Sequence, residues 1–216
     1  MEKVKNKILL PKISKDLKTL VFDKNNIQDN DSFCDGVMEG GILENQKAEH
    51  VSFDQIIFKN VIFKHADFKG IELTDVRFEN CDLSNADLSA AIIHRIEMIN
   101  CKILGLNLSE ATLRNVLFYD CNGRYSSFRF AVLKQVNFEN CLIHNGDFQK
   151  SSFSKVSFFS SNLQQVEFSG TNLKGIDLTS CEIDGINARI EDLNGVIVSL
   201  IQAASLSRLM GIIIKI

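Results

Sequence analysis

The sequence has no tryptophan, a single proline and no apolar run long enough to cross a membrane. A membrane helix needs about 18 consecutive apolar residues. The lysine-rich start leads only into residues 8–10, which are too few for the core of a signal peptide. We therefore expect a cytoplasmic protein that does not bind membranes. Its 216 residues, 45% of them hydrophobic, suffice for a sizeable core.

Side chains that usually carry catalysis or bind metals are few and dispersed. The chain has six cysteines but no Cys-x-x-Cys pair, a spacing typical of zinc sites. Its four histidines are isolated from one another, and no Ser-His-Asp or Cys-His set is indicated. We therefore predict that the protein is not an enzyme and that it holds no metal ion and no cofactor.

The sequence does contain a five-residue repeat. Counting every fifth residue from Phe53 to Leu193, 27 of 29 positions hold Phe, Leu, Ile or Met. Only Gly123 and Ala188 break the pattern. Extension back to Phe33 places 13 of the 16 phenylalanines in the same register. A regular internal repeat of this kind predicts a solenoid.

A five-residue period fits neither a helix nor a strand, because in both the successive members would point in different directions. The backbone must therefore turn once in every pentapeptide, so that each apolar residue faces one axis. Two residues before each apolar centre lies a second inward-facing position that favours small or β-branched residues. Its small members are Ala66, Cys81, Ala86, Ala91, Cys101, Ala111, Cys121, Ala131, Cys141, Ser151, Thr171 and Cys181.

The cysteines reveal a longer period of twenty residues. Five of them, Cys81, Cys101, Cys121, Cys141 and Cys181, are separated by multiples of twenty. Four pentapeptides thus close one coil, and about eight coils fill residues 31–195 as a square solenoid. A linear ladder of thiols cannot surround a tetrahedral ion, and parallel side chains disfavour disulfides. We expect the cysteines to be reduced, small and buried.

This organisation resembles the pentapeptide-repeat family. The family's Ala-Asp/Asn-Leu-x-x pattern appears here as Ala66-Asp67-Phe68, Ala86-Asp87-Leu88 and Thr171-Asn172-Leu173. The resemblance implies an all-β fold, a right-handed quadrilateral β-helix. The periodicity alone gives the square coil but not its hand.

Further features resemble the Qnr and MfpA group within that family. Residues 120–131 look like the corresponding segment of chromosomal Qnr proteins from Gram-positive bacteria, and residues 209–214 look like the end of the group's dimerisation module. The resemblance implies a homodimeric rod that mimics B-form DNA, binds DNA gyrase or topoisomerase IV, protects them from quinolones and makes no direct contact with nucleic acid. The unbroken register leaves no room for the projecting loops of many Qnr proteins. The chain therefore looks like the loop-free members, in which inhibition of gyrase outweighs protection.

Charge is the first candidate feature for binding such a partner. Residues 31–198 carry 15 basic and 23 acidic residues. Asp67, Asp87, Asp147 and Glu167 share one predicted outward column, interrupted by Asn107 and Ser127. The column is either a negative stripe offered to a nucleic-acid-binding groove or a solvated face that keeps the rod soluble.

Gly123 is the second candidate feature, because it leaves an axial position without a side chain. Arg124, Tyr125, Arg129 and Phe130 lie beside it on predicted outward positions. We expect Phe130 or Tyr125 to fold inward and fill the gap. The alternative is an exposed contact patch of residue types favoured in interfaces, which would suit an interaction scaffold for a different protein partner.

The two ends of the chain lack the repeat. Residues 1–30 carry seven lysines and four acids. With Pro11 and an apolar stretch ending at Phe22, they form either an irregular segment that caps the first coil or a flexible basic tail. A solenoid needs such a cap, since an open coil exposes its interior.

Residues 196–216 form the predicted C-terminal module. Ser199 is a suitable N-cap for a helix over residues 200–210, and Gly211 a suitable end. Residues 212–216 are predicted to form a strand. The helix and strand are apolar on most sides, which predicts a homodimer interface. That interface comprises Leu200, Ile201, Leu206, Leu209, Met210, Ile212, Ile213 and Ile214.

Overall fold

Parallel strands stacked in chain order form one wall of the molecule. The computed structural model describes residues 7–22 and 27–215. The strands are β1 (Lys18–Thr19), β2 (Ser32–Glu39), β3 (Ser52–Lys59), β4 (Glu72–Glu79), β5 (Ile92–Ile99), β6 (Thr112–Tyr119), β7 (Val132–Glu139) and β8 (Ser152–Phe159). They make one eight-stranded sheet in which every neighbouring pair is parallel.

The register confirms the twenty-residue coil. Phe58 pairs with Phe78, Phe78 with Met98, and Met98 with Phe118. The opposite half of each coil carries two columns of single parallel bridges at the same spacing. The β2–β8 ladder makes about seven turns of a β-helix, and residues 171–190 continue the coil without an eight-residue strand.

One conformational feature recurs along the solenoid. From residue 30 to residue 175, every residue whose number is a multiple of five has positive φ, and 25 of these residues are not glycine. Asn, Asp and Gly tolerate this left-handed conformation best, and asparagine occurs repeatedly there, as at Asn60, Asn80 and Asn100. The predicted turn in each pentapeptide is therefore confirmed, and it lies two residues after the apolar centre.

The core is a set of stacked apolar columns along the solenoid axis. Phe138 lies between Phe118 and Phe158, with ring centroids 4.8 and 5.0 Å away and nearly parallel planes. The neighbouring column meets it edge to face, since the Phe128 and Phe138 rings cross at 89°. Each fully buried phenylalanine stabilises the fold by roughly 1.5–3 kcal/mol, so these columns are the main cohesive contribution.

The cysteines line a corner of this core. Five of the six are buried, whereas Cys34 is exposed. Each buried thiol donates to a carbonyl of the preceding coil, as Cys121 Sγ does to Met98 O at 3.3 Å. Hydrogen bonding to Cys121 and burial raise the pKa of the Cys101 thiol to about 12. The expectation that the five cysteines of the ladder are buried is confirmed.

Separate segments cover the two ends of the core. At the first coil, Leu20 donates its N–H to Val37 O, and Phe22 packs edge to face on Phe33. Gly36 leaves room for the Leu20 side chain, which a larger residue at position 36 would displace. At the other end lie a 3-10 turn (Ile190–Leu193), helix α1 (Leu200–Leu206) and a second 3-10 turn (Ser207–Met210). Among the described residues, no helix could cross a membrane.

Candidate protein-binding surfaces

The four predicted acidic residues lie in one column, here called the acidic column. Parallel bridges connect Asp67 to Asp87, and Asp147 to Glu167, in adjacent coils. The bridges between these two pairs run through Asn107 and Ser127. Each acidic side chain is half-buried rather than fully exposed. The column therefore holds two separated pairs of carboxylates and not a continuous stripe.

Basic side chains neutralise much of the acidic column. Lys47 Nζ lies 3.3 Å from Asp67, and Arg129 Nη1 lies 3.4 Å from Asp147. Lys69 Nζ sits between Asp67 and Asp87, at 3.9 and 3.8 Å. Such exposed ion pairs contribute little stability, but they reduce the negative potential of the surface. The prediction from the sequence did not consider these neighbours, although Lys69 and Arg129 occupy one column two residues further on.

The same carboxylates also stabilise the local turn. Asp87 Oδ1 accepts from the Ser89 N–H at 2.9 Å, and Asp147 Oδ1 accepts from the Gln149 N–H at 2.9 Å. Asn107 Oδ1 does the same for Ser109 at 3.1 Å. This is the side-chain turn that Asx residues favour. An amide can therefore replace the carboxylate without loss of the turn.

The expectation that an aromatic fills the gap at Gly123 is wrong. Tyr125 and Phe130 are 61% and 47% exposed. Both occupy left-handed corner positions, which direct the side chain outward. The gap is closed by Ile103 and Ile143 of the adjacent coils, whose Cδ1 atoms would lie 3.1 and 3.0 Å from a Cβ at position 123.

An exposed aromatic patch results, made of Arg129, Phe130 and Lys150. Arg129 Cζ and Lys150 Nζ each lie 5.6 Å from the centre of the Phe130 ring. Arg129 also donates to Gln149 Oε1 at 2.6 Å. Both distances are within the range of cation–π contacts, which restrain the ring between the two cationic side chains. Tyr125 and the exposed Arg124 lie one pentapeptide earlier in the same coil.

The C-terminal helix is attached through its polar side chains and leaves an apolar face outward. Gln202 Nε2 donates to Leu178 O and Cys181 O, both at 2.8 Å. Leu200 and Ile201 are 88% and 81% exposed, and Ile213 is 86% exposed. Of the other predicted interface residues, Met210, Ile212 and Ile214 are exposed, whereas Leu206 and Leu209 are partly buried.

Two details of the C-terminal module differ from the prediction. The α-helix ends at Leu206 and continues as a 3-10 turn to Met210. Residues 212–215 form no strand, and Ile216 lies outside the described residues. A strand needs a neighbour to pair with, and the solenoid sheet ends with β8. The cap positions were predicted correctly: Ser199 accepts from the Gln202 N–H, and Gly211 has φ 73°.

A surface that sequence reasoning missed lies along one corner of the solenoid. Residues 7–17, here called the N-terminal arm, run beside this corner instead of only covering the first coil. The corner's side chains bind the arm backbone: Asn115 Oδ1 accepts from the Leu9 N–H at 3.1 Å, and Asp75 Oδ1 accepts from the Lys12 N–H at 2.8 Å. Gln135 Nε2 donates to Lys7 O at 3.3 Å. We call this row, Asp75, Arg95, Asn115 and Gln135, the arm corner.

The arm corner contains the main titratable cluster of the described chain. Arg95 makes two hydrogen bonds to the carboxylate of Asp75. Burial opposes the charge of Asp75, but the bonds from Arg95 and the Lys12 N–H lower its pKa. Burial, followed by the charges of Arg95 and Arg114, lowers the pKa of His94. Asp54, on the preceding coil, has a raised pKa because of burial and the nearby Asp75 and Asp35.

The described residues contain no group of three or more His, Cys, Asp or Glu placed to hold a metal ion. A groove of about 470 Å³ is lined by residues of the C-terminal module such as Ile201, Arg208 and Ile213.

Comparisons with known proteins agree with the repeat. A model of the pentapeptide repeat region matches residues 71–148, and a model of pentapeptide repeats in eight copies matches residues 137–175 and 157–189. Together they cover residues 71–189, more than half of the chain. No curated protein matches the sequence.

Two solved structures have a similar fold. A trypsin-treated variant of QnrB1, a plasmid-mediated fluoroquinolone resistance protein, has a TM-score of 0.51 and 22% identity, with 92% of this chain and 98% of that one covered. HetL, a pentapeptide repeat protein involved in heterocyst differentiation regulation from the cyanobacterium Nostoc sp. strain PCC 7120, has a TM-score of 0.50 and 15% identity, with 81% and 92% covered.

Proposed function

Since this chain belongs to the pentapeptide-repeat family, we propose that it is a non-enzymatic rod that binds DNA gyrase or topoisomerase IV where duplex DNA would lie, and modulates their activity. The acidic column is the observation that carries the proposal. It places Asp67 and Asp87 in adjacent coils on one face, and Asp147 and Glu167 in another such pair. A DNA-binding surface is basic, so it would attract this face.

The acidic column carries a much lower charge density than duplex DNA, which limits its contribution to binding. Adjacent coils are about 4.8 Å apart, whereas duplex DNA carries one charge per roughly 1.7 Å. Lys47, Lys69 and Arg129 reduce the potential further. The column therefore steers the encounter with a basic groove, and the shape of the rod supplies the remaining complementarity. Protection from quinolones is the secondary effect that such binding would produce.

A homodimer would extend the rod on both sides of its centre. The exposed Leu200, Ile201 and Ile213 form an apolar face at one end of the solenoid. Large exposed apolar faces favour association. We infer that two chains join through this face, which leaves both acidic columns accessible.

Binding to purified gyrase and topoisomerase IV, measured over a range of salt concentrations, tests the proposal. We expect saturable binding that weakens with salt, and reduced supercoiling in the presence of the protein. The charge-removed variant replaces Asp67, Asp87 and Asp147 by Asn and Glu167 by Gln, which keeps the turn acceptors at positions 87, 147 and 167. It should bind at least ten-fold more weakly and with a smaller salt dependence.

The matched control removes charge from another column. Asp82 and Glu182 lie in the second column of single bridges, and Asp82→Asn with Glu182→Gln should leave gyrase binding unchanged. Absence of binding to either enzyme at micromolar concentration, with supercoiling and quinolone sensitivity unaltered, would refute the proposal.

A second candidate function is an interaction scaffold for a different protein. The aromatic patch favours it, because Phe130 is 47% exposed between two cationic side chains. Recovery of one non-topoisomerase partner from a lysate, lost with Phe130→Asn and Arg129→Gln, would support it. Glu110→Asn is the control, since Glu110 is the left-handed residue of the preceding coil at the same corner. Recovery of gyrase alone would exclude the scaffold.

A further inference from the structure

The N-terminal arm lies on the solenoid as an extended peptide parallel to the axis. Its contacts with Gln135, Asn115 and Asp75 involve arm residues 7, 9 and 12 in that order. Residues 135 and 75 are three coils apart, about 14 Å at 4.8 Å per coil. Five arm residues span this distance only if they are nearly extended, at up to about 17 Å for 3.3 Å per residue. The arm therefore runs antiparallel to the direction in which the coils stack.

The hydrogen bonds between the corner and the arm go to the arm backbone. The two N–H groups that donate to the corner belong to Leu9 and Lys12, three residues apart, and the accepting carbonyl belongs to Lys7. Leu9 and Lys12 themselves are exposed. Side chains of stacked coils thus act together as one peptide-binding row, each contributing one bond.

The only proline of the chain lies inside the arm. Pro11 is placed between the two donating residues, where its missing N–H costs no bond to the corner. Proline fixes its own φ and restricts the preceding residue to extended conformations. The arm is therefore partly ordered before it docks, which lowers the entropy cost of binding.

The docked arm accounts for the burial of two polar side chains of the corner. Asn115 is 1% exposed and Asp75 is 5% exposed, whereas Arg95 and Gln135 of the same corner are partly exposed. Arg95 holds the Asp75 carboxylate from the adjacent coil and orients it toward the arm. The corner is thus pre-arranged as a receptor, with donor and acceptor atoms fixed by the solenoid.

We propose that the arm corner is a binding groove for an extended peptide, which the N-terminal arm occupies in cis and which a partner peptide of the same backbone pattern can occupy in its place. That pattern has two N–H donors three residues apart with a proline between them. A tethered arm has an effective concentration in the millimolar range. The groove is therefore closed to weak ligands until the arm is displaced. This inference is independent of the acidic column and of the gyrase proposal.

The test uses the full-length chain with the arm disabled and the groove intact. Leu9→Pro with Lys12→Pro removes both donating N–H groups from the arm. The ligand is a fluorescent synthetic peptide of residues 7–17, followed by anisotropy. We expect saturable binding to the disabled chain at least ten-fold tighter than to the wild type. A peptide with the same two prolines should not bind.

Variants of the groove complete the test. Asn115 has φ 55° and Asn145 has φ 57°, so glycine fits both positions without strain. In the disabled chain, Asn115→Gly should weaken peptide binding at least ten-fold, while Asn145→Gly should leave it unchanged. No saturable binding to the disabled chain, or equal binding to the Asn115→Gly variant, would overturn the proposal.

Hydrogen exchange gives a second measurement that needs no proline in the arm. In the otherwise wild-type chain, Asn115→Gly should accelerate exchange of the Leu9 amide at least ten-fold, and Asn145→Gly should not. An unchanged Leu9 rate would show that the corner does not hold the arm, and the groove would be rejected.

Discussion

Arg95 and Asp75, twenty residues apart and in adjacent coils, form a two-point ion pair under the N-terminal arm. Arg95 Nε and Nη2 each donate to one carboxylate oxygen of Asp75. The Asp75 side chain is 7% exposed and that of Arg95 is 17% exposed. Removal of one member would therefore leave a largely buried charge without its partner.

We predict that Arg95→Asn destabilises the protein by about 3 kcal/mol, because an unpaired buried carboxylate is costly. Asparagine tolerates the left-handed conformation of this corner, with φ 55°, so backbone strain does not add to the effect. Urea unfolding measures the change. The double variant Asp75→Asn with Arg95→Asn should regain part of the loss, since no charge is then stranded. A loss below about 0.5 kcal/mol for Arg95→Asn, the range of ordinary surface substitutions, would contradict the prediction.

His94, next to Arg95, should make stability depend on pH. Burial first, and then Arg95 and Arg114, lower its pKa below 6.5 in the folded state. As the pH falls through 6.5, the unfolded chain binds a proton that the folded chain does not. Stability therefore decreases as the pH is lowered from about 7 to 5. His94→Gln should flatten this dependence in urea unfolding.

Asp54 acts in the opposite sense at lower pH. Burial and the charges of Asp75 and Asp35 raise its pKa above 3.8 in the folded state. As the pH falls, the folded chain therefore binds a proton at Asp54 before the unfolded chain does, which increases the free energy of unfolding. This gain partly offsets the loss of stability caused by His94. A steeper slope for His94→Gln than for the wild type would show that the sign assigned to His94 is wrong.

Phe138 tests the stacked core. It is completely buried between Phe118 and Phe158. Phe138→Ala should lower the free energy of unfolding by about 3–5 kcal/mol, because the rings above and below cannot collapse into the cavity. The control is Val132→Ala in the same strand, where valine is 47% exposed and the cost should stay within about 0.5 kcal/mol. Equal effects in thermal unfolding would mean that the interior columns do not hold the coils together.

The C-terminal face should determine the oligomeric state. Ile201→Asp with Ile213→Asp places charges on side chains that are 81% and 86% exposed, so the monomer fold should survive while a dimer dissociates. Light scattering of the full-length chain measures this. Ile92→Asp, at an apolar residue on the solenoid wall that is 56% exposed, should leave the dimer intact. A monomeric wild type would refute the dimer, and a dimer that persists in the double variant would place its interface elsewhere.

The solenoid could be predicted from the sequence, because the same pattern of inward-facing residues recurs in successive coils. The inward Phe and Leu positions, the cysteine ladder and the corner turns all follow from the five- and twenty-residue periods. Side chains between these positions were less predictable. Whether Phe130 fills the gap at Gly123 depends on the left-handed backbone at position 130, which turns the ring outward, and on the reach of Ile103 and Ile143.

Segments that occur only once could not be placed from the sequence. The N-terminal arm has no repeat, and its contacts join Lys12 to Asp75 and Leu9 to Asn115, across 63 and 106 residues. Only the position of Pro11 in a non-repeating stretch indicated an irregular segment. The neutralisation of the acidic column by basic side chains was predictable from the sequence, because Lys69 and Arg129 occupy equivalent positions of different coils.

The left-handed corner at every fifth residue also governs how such a chain can change its length. Loss or gain of one residue would move all later corners off their permitted sites and turn each following column to a different wall. Loss or gain of twenty residues keeps every column of side chains in register and changes only the number of coils. The length of the solenoid itself should therefore change in steps of one whole coil.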